Sequence, residues 1–529
     1  MFKSFLSRRS LFTRGSLLAA MQGLPPAARA APIVNLYEEI GVRPLVNCRG
    51  TFTIISGSQS LPEVKAAMDA ASRHYVHMDE LMDAVGRRLA ELTKADWGMV
   101  SSGCAAALAH ATAACIAGAD PEKMQRLPNT QGLRNEVIAP VYSRNVYDHA
   151  VRGIGAKMID VATKEEYIRA FNDRTAMVMI LASPEDSGPM GLQILAPIAK
   201  EKGVPVLVDA AAERLKVPNV HLSRGATLVA YSGGKCLRGP QTAGLLLGRK
   251  DLIKAAWLHS APHHAIGRPM KAGKEEIMGM LAAVEAWMKR DHDAEWKQWE
   301  MWLATIGDSV KRVNGVTTRI RQPESLSNNA PRMEIQWDGE ALGIGGQEVE
   351  KLLLNGDPRV VVGGSSGGRR GSIKNSSLTI MPYMMMPGDD RIAAEKIHAV
   401  LAKPPKQDRK TPAAPSVNAT GQWDVDIEYS LGKARHGLVL EQKGAELVGT
   451  HAGEFLGSDL RGNVEGNDLN FRSSFKIEGT RLGYEFNAKM AGDTMEGTIE
   501  LGEYGQARFT AKRHQYGTPG GLVRPIKNV

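Results

Sequence analysis

Three short stretches hold residue types that could do chemistry together. In "VPVLVDAAAERL" a single carboxylate, Asp209, closes an otherwise apolar run. Lys235 follows 26 residues later in "YSGGKCLRGPQTAG", set among glycines at the end of the next apolar run. Well upstream, "WGMVSSGCAAALAHATAAC" carries Ser101-Ser102-Gly103-Cys104 from a short apolar run into an alanine-rich helical pattern. A carboxylate at a buried strand end is costly unless a cation or hydrogen-bond donors meet it, or unless it caps the helix that follows. A lysine held near a domain interior loses part of its affinity for the proton and becomes a usable amine nucleophile, whereas in a solvated loop it stays an ordinary cation. A glycine turn feeding a helix start aims unpaired N–H groups and the positive end of the helix dipole at an anion, although tight strand-to-helix turns use the same residues for geometry alone.

Each stretch by itself leaves its plainer reading open; the three in this order select one cofactor. Pyridoxal phosphate needs a cradle for its phosphate, an acid that keeps its pyridine nitrogen protonated, and a lysine that holds its aldehyde as a Schiff base. Phosphate loop, acid, then lysine is the chain order of the aspartate-aminotransferase type of fold, fold type I.

The elements that must position these residues follow from the hydrophobic pattern. "AMVMILAS" (176–183), "VPVLVDAA" (204–211), "ATLVAYSGG" (226–234) and "TAGLLLGR" (242–249) are short and apolar on both faces, as buried strands of a mostly parallel sheet are. Helical segments such as "LQILAPIAKEKG", stopped by Gly203, lie between them. The alternation predicts an α/β layer fold over residues 32–402, with a large domain over about 60–290 and a small domain built from the flanking segments. "AKPPKQDRKTPAAPS" (402–416) is rich in proline and charge and reads as a linker over 403–416. From 417 to 513 the period changes to two, with runs such as "WDVDIEY", "HGLVLEQ" and "LGYEFNAKM" between Gly, Asn and Asp turns; this predicts a small antiparallel sandwich or barrel, followed by a tail, 514–529. Nothing in that part clusters carboxylates, His or Cys as catalysis requires, and it is assigned no chemistry.

A chain of 529 residues exceeds one hydrophobic core, in keeping with more than one folded unit, and has no apolar run long enough to span a membrane. Residues 1–31 contain no acidic residue, a paired Arg8-Arg9, an apolar stretch and small residues at Ala28 and Ala30; they read as a cleavable export signal in which "SRRSLF" resembles the twin-arginine type, which predicts a periplasmic protein. Removing the five basic residues of that segment lowers the net charge from +9 to +4, too small over this length to argue for nucleic acid. Cys48, Cys104, Cys115 and Cys236 show no metal-ligand spacing and are expected as free thiols.

"MVSSGCAAALAHATAACIAG", "NVYDHAVRGIGAKMIDV", "PVLVDAAAE", "LVAYSGGKCLRGPQTAGLLLGRKDLI" and "IGRPMKAGKEEIMGMLAAVEAW" resemble the group of pyridoxal-phosphate enzymes that contains selenium transferases and glucosaminate-6-phosphate ammonia-lyases. The resemblance covers residues 32–402 and implies fold type I. It implies that Lys235 is the Schiff-base lysine, that Asp209 pairs with the pyridine nitrogen, and that Ser102, Gly103 and Cys104, helped by Ser232, hold the phosphate. Asn145 and His149 lie where a residue covering the cofactor ring is found. Arg268, Lys271 and Lys274 are basic residues near a helix start that could reach the phosphate or an anionic substrate, across a dimer interface if need be; Lys274 also reads as a plain surface lysine.

One departure bears on substrate. Many fold type I enzymes hold the substrate α-carboxylate with an arginine on a strand of the small domain, and "SSLTIMPYMMMPGDD" (376–390) has none there. Arg359, or Arg369 and Arg370, are the available substitutes. The resulting expectation is an exported enzyme that binds a small-molecule amine, works as a homodimer or higher oligomer, and acts on a small amino acid or amino-sugar acid by eliminating ammonia. Transferase or racemase chemistry is the alternative within the cofactor class, and a non-catalytic ligand-binding protein the alternative outside it.

Overall fold

The structure, a computed structural model, describes residues 35–367, 372–405 and 413–515. The segment read as an export signal, Arg369, Arg370, much of the linker and all but the first two residues of the tail lie outside the described residues.

Seven strands form the central sheet: β1 (Trp97–Ser101), β2 (Glu136–Pro140), β3 (Lys157–Val161), β4 (Thr175–Leu181), β5 (Val206–Asp209), β6 (Leu228–Ser232) and β7 (Gly244–Gly248). Their order across the sheet is β1-β7-β6-β5-β4-β2-β3, and only β7 runs against its neighbours. All residues of β1, β2 and β7 are buried, which is why these runs lack polar alternation: helices cover both faces. Each parallel strand needs a crossover, and the helices Gly103–Ala117 and Leu192–Glu201 are two of these. The first is buried along most of its length beneath the sheet, so its alanines allow close approach rather than an amphipathic stripe. The sheet topology puts the carboxyl ends of β1, β5 and β6 at one edge, where open α/β sheets bind ligands. There Gly244, the first residue of β7, pairs with Ser101 on one side and Ser232 on the other.

A second unit packs four antiparallel strands, in the order Gly363–Gly367, Asn375–Ile380, Arg332–Trp337, Thr317–Arg321, against the helices His292–Val310, Gly346–Asn355 and Asp389–Ala402. The chain's early strand Leu45–Asn47 joins this unit by parallel pairing with Arg359–Val361. Residues 57–61 then return to the lysine loop, so the first described residues tie both units together. No helix of the described residues is long and apolar enough to cross a membrane.

The C-terminal unit is a closed eight-stranded barrel, each strand pairing with the next and the last, Gln506–Arg513, with the first, Gly421–Glu428. Alternating residues fill its interior around Trp423, which is fully buried and donates its indole N–H to Ala419 O at 2.9 Å. Closure leaves no free sheet edge. The interior is not wholly apolar. His436, His451 and Ser473, distant in sequence, stand on three strands and form a line: His436 Nδ1 to His451 Nε2 at 2.9 Å, His451 Nδ1 to Ser473 Oγ at 2.6 Å. This cluster was not legible in the sequence, because barrel register alone makes inward positions of separate strands neighbours.

Burial lowers the affinity of both imidazoles for protons, that of His451 to a pKa of about 3. The folded pKa lies below the unfolded value of about 6.5, so between those two values the unfolded chain binds protons that the barrel refuses. Barrel stability should therefore fall as pH drops from about 6.5 toward 3, with a slope of up to about 1.4 kcal/mol per pH unit from His451. Native-state hydrogen exchange of the barrel amides measures this, and His451→Gln should flatten the dependence.

Candidate active site

Asp209 ends β5 with 2% of its surface exposed. Its Oδ1 accepts from the backbone N–H of Ala211 at 3.1 Å and from the thiol of Cys104 at 3.6 Å. Burial raises the carboxyl's pKa above the ordinary range, against the opposing pull of those donors and of the Lys235 charge. No side-chain cation reaches Asp209 directly among the described residues, so its acceptor capacity faces inward largely unmet by positive charge.

Lys235 sits on the turn that leaves β6. The glycines before it serve packing: a Cβ on Gly233 would meet Met280 Sδ at 2.7 Å and Ala243 O at 2.8 Å, and one on Gly234 would meet Gln241 Oε1 at 2.6 Å. The turn is closed by Gly233 N–H to Ala243 O, Gly239 N–H to Gly233 O and Arg238 N–H to Lys235 O. From outside, Leu61 N–H binds Arg238 O, Ser60 Oγ binds Gly239 O, and Gln241 Nε2 reaches both Ser58 oxygens. The backbone beneath the lysine is thus held on two sides, while the amine, half-buried, has no hydrogen bond or ion pair among the described residues.

The third component is the start of the helix Gly103–Ala117. Ser102 occupies the cap position but its hydroxyl caps nothing, and no side chain satisfies the first-turn N–H groups. Such groups are met by water or an anion. Gly103 has φ +86° and open space where its side chain would be, while a Cβ on Gly244 would overlap the Gly103 carbonyl and come within 2.6 Å of Cys104 N. Two residues read from the sequence as phosphate ligands, Gly103 and Cys104, therefore form a bare cradle packed against Gly244. The third, Ser102, stands beside them half-buried, and Ser232 flanks Gly244 from β6.

The cofactor's chemistry can be tested against this geometry. A buried, undercharged carboxylate suits a cationic ring nitrogen, an uncapped helix start suits a phosphate, and an unpaired lysine amine suits an aldehyde. The residues present fit pyridoxal phosphate. The thiols beside them are not alternative nucleophiles: burial pushes Cys236 up to about 11 and Cys104 well above the ordinary thiol value, and Cys236 Sγ lies 2.9 Å from Glu213 O. No disulfide and no cluster of potential metal ligands occurs among the described residues.

The other sequence candidates make no described contact to Asp209 or Lys235. Asn145 makes a local turn, accepting from Tyr147 N–H and donating to Ser143 O. His149 is exposed on the short helix Asp148–Arg152. Arg268 and Lys271 are exposed on the loop before the helix Lys274–Lys289, and Lys274 pairs with Glu275. Arg359 donates to Leu354 O at the end of a small-domain helix, with no described contact to Asp209 or Lys235.

The sequence reading missed two groups. Tyr147 lies within electrostatic range of Asp209 and Cys104, and burial, then those charges, raise its phenol pKa. Glu213, four residues after Asp209, is buried and 2.5 Å from the buried His221 imidazole. A second carboxylate in "DAAAE" was the available signal for the latter.

No protein-family model matches the chain. It is 28% identical over 340 residues to the D-glucosaminate-6-phosphate ammonia lyase of Salmonella typhimurium (strain 14028s / SGSC 2262), spanning 61% of this chain and 88% of the relative. It is also 28% identical over 378 residues to the 5'-C-glycyluridine monooxygenase-decarboxylase of Streptomyces sp, 69% of this chain and 92% of that one. An L-seryl-tRNA(Sec) selenium transferase of Moorella thermoacetica matches at 24% over 342 residues, 58% of this chain and 66% of the relative. The solved structure of D-glucosaminate-6-phosphate ammonia-lyase superposes with a TM-score of 0.60 at 25% identity, covering 69% of this chain and 98% of that structure. Fold and site together define a fold type I enzyme whose cofactor is pyridoxal phosphate. The chain is homologous to the ammonia lyase and the selenium transferase, and the barrel is a separate unit added to that fold.

Gly244→Ala should displace the Gly103–Cys104 turn, because a methyl there has no space. Cofactor affinity, read by titrating the cofactor-free protein, should fall by about tenfold or more, while the unfolding transition moves by the 1–3 kcal/mol usual for overpacking.

Proposed function

We propose that this chain is an exported lyase that eliminates ammonia from a small amino acid or amino-sugar acid bearing a β-hydroxyl. The observation that carries the reading is the meeting of three groups at the carboxyl ends of the strands: the unpaired Lys235 amine, the buried Asp209 carboxylate with no cation in direct contact among the described residues, and the uncapped helix start at Gly103. In this reading Ser102, Gly103, Cys104 and Ser232 hold the phosphate, Asp209 keeps the pyridine nitrogen protonated, and His149 and Asn145 are the candidates for covering the ring face. When bound, pyridoxal phosphate supplies an electron sink conjugated to the substrate's α carbon. Lys235, freed by the incoming amine, takes the α-proton as general base and can return it to the departing hydroxyl, which leaves as water. Hydrolysis then restores one water and releases ammonia and a keto acid, so the net change is loss of ammonia. The homology to an ammonia lyase supports this outcome. Export is supported by the acid-free, arginine-paired segment 1–31.

A second reading has an observation of its own. The monooxygenase-decarboxylase relative is matched over more of this chain at equal identity. An oxygen-dependent decarboxylation differs from elimination in what it consumes, so one assay separates them: ammonia release without oxygen uptake favours the lyase, and carbon dioxide with oxygen uptake the other.

Lys235→Ala should lower turnover by at least the 10²–10⁴-fold that a general base contributes and remove the visible absorbance of lysine-bound cofactor. A variant retaining both would refute the assignment. Asp209→Asn should keep the fold but lose most activity.

Leu36, Tyr37, Ile40, Ile54 and Tyr75 are large apolar residues between 65% and 102% exposed. Concentrated in one stretch of the early chain, they support a homo-oligomer that covers them, in which Arg268 and Lys271 reach a neighbouring site. Light scattering should give at least a dimer, and Ile54→Asp should shift it toward monomer.

A further inference from the structure

The barrel touches the enzyme body at residues 144 and 145. Its hairpin between the strands Asp468–Ile477 and Thr480–Ala491 turns through Glu478 and Gly479. Glu478 ion-pairs with Arg144, whose side chain is 5% exposed and also binds Asp148, at 2.5 Å, and Asp160. Gly479 lies flat on the backbone of Asn145, so that a Cβ there would collide with the Asn145 carbonyl and come within 2.6 Å of its N. Arg144 and Asn145 begin the segment 144–149, whose Tyr147 lies within electrostatic range of Asp209 and Cys104.

The turn itself shows that Glu478 is not there for the barrel's sake. Three other two-residue hairpin loops of the barrel place glycine first, in the left-handed region: Gly444 at φ +59°, Gly466 at +60° and Gly492 at +58°. The fourth has a similar φ, +51°, at its first position and a glutamate there. A side chain in that conformation is strained, and two-residue hairpins favour glycine or asparagine there. A strained residue kept at a contact points to a role in the contact.

We propose that the barrel is a clamp on the cofactor-site segment, with Glu478 as a positioning residue acting through Arg144 and Asp148. Asp148 is 1% exposed, so fixing Arg144 fixes the first turn of the helix Asp148–Arg152, from which His149 projects. The inference rests on the reading of 102–104, 209 and 235 as the cofactor site. Arg144, its charge met by three carboxylates, is then a structural cation and no ligand for an anionic substrate.

The test is Glu478→Gly in the full chain, read first by hydrogen exchange of the cofactor-free protein. The substitution relieves the turn, so barrel amides should keep or gain protection. Segment 144–149 should exchange about threefold faster, the scale of one partly exposed ion pair, and cofactor affinity should weaken in proportion. Glu478→Gln, which keeps a hydrogen-bond acceptor, should give a smaller change, and Gly479→Ala, which pushes on Asn145, a larger one. Unchanged exchange over 144–149 in both Glu478→Gly and Gly479→Ala would overturn the proposal, as would equal loosening of barrel and segment in Glu478→Gly. Failure of the cofactor reading would show separately, as wild-type protein that binds no pyridoxal phosphate.

Discussion

A carboxylate kept out of water must be met by positive charge, and the arrangement around Asp209 is a response to that requirement. Asp209 ends a central strand, has only an amide and a thiol as direct donors, and looks across to a lysine that does not touch it. In the proposed site a cationic ring would meet this carboxylate. Everything that frames it is held from elsewhere: β6 and its glycine turn bring Lys235, β7 brings Gly244 against the phosphate cradle, and residues 57–61 lie over the lysine loop. The same sheet could not be shifted by one residue without turning Asp209 away from the site.

Glycine does two different jobs here, and they are easily confused. Around Lys235 the glycines make room for Met280, Ala243 and Gln241, so that the chain can double back on itself. At Gly103 the positive φ and empty flank leave a helix start open to an anion. In the proposed assignment the phosphate loop is the stretch without the lysine, and the lysine loop is the stretch without the phosphate. Substrate recognition is less conventional. The small-domain strand Asn375–Ile380 lacks an arginine, Arg359 is engaged with a helix end, and Arg268 and Lys271 are exposed in the single chain.

The barrel changes the account of the enzyme body. Its interior, apart from the His436–His451–Ser473 line, is an ordinary packed core, and its chemistry is not in that interior. It meets the body at segment 144–149, where among the described residues one ion pair joins two units that each have their own core. Surface ion pairs contribute little to overall stability, but little is enough to bias a short loop. An added domain can thus act on a site without lining it.

Much of this was legible in the sequence. The doubly apolar strand runs, the change to period two after residue 417 and the order of phosphate loop, acid and lysine follow from local pattern, because strands buried on both faces and lysines beside glycines leave marks within a few residues. The roles of Glu478, Arg144, Tyr147 and the inward histidines left no such mark. They come from residues 15 to 334 positions apart being brought together by sheet order, barrel register and the packing of one unit on another. Local pattern placed an acid and a lysine at strand ends; only the tertiary structure decided that the acid is buried, that the lysine is unpaired among the described residues and what surrounds them, since non-local contacts depend on how strands pair and not on what stands next in the chain.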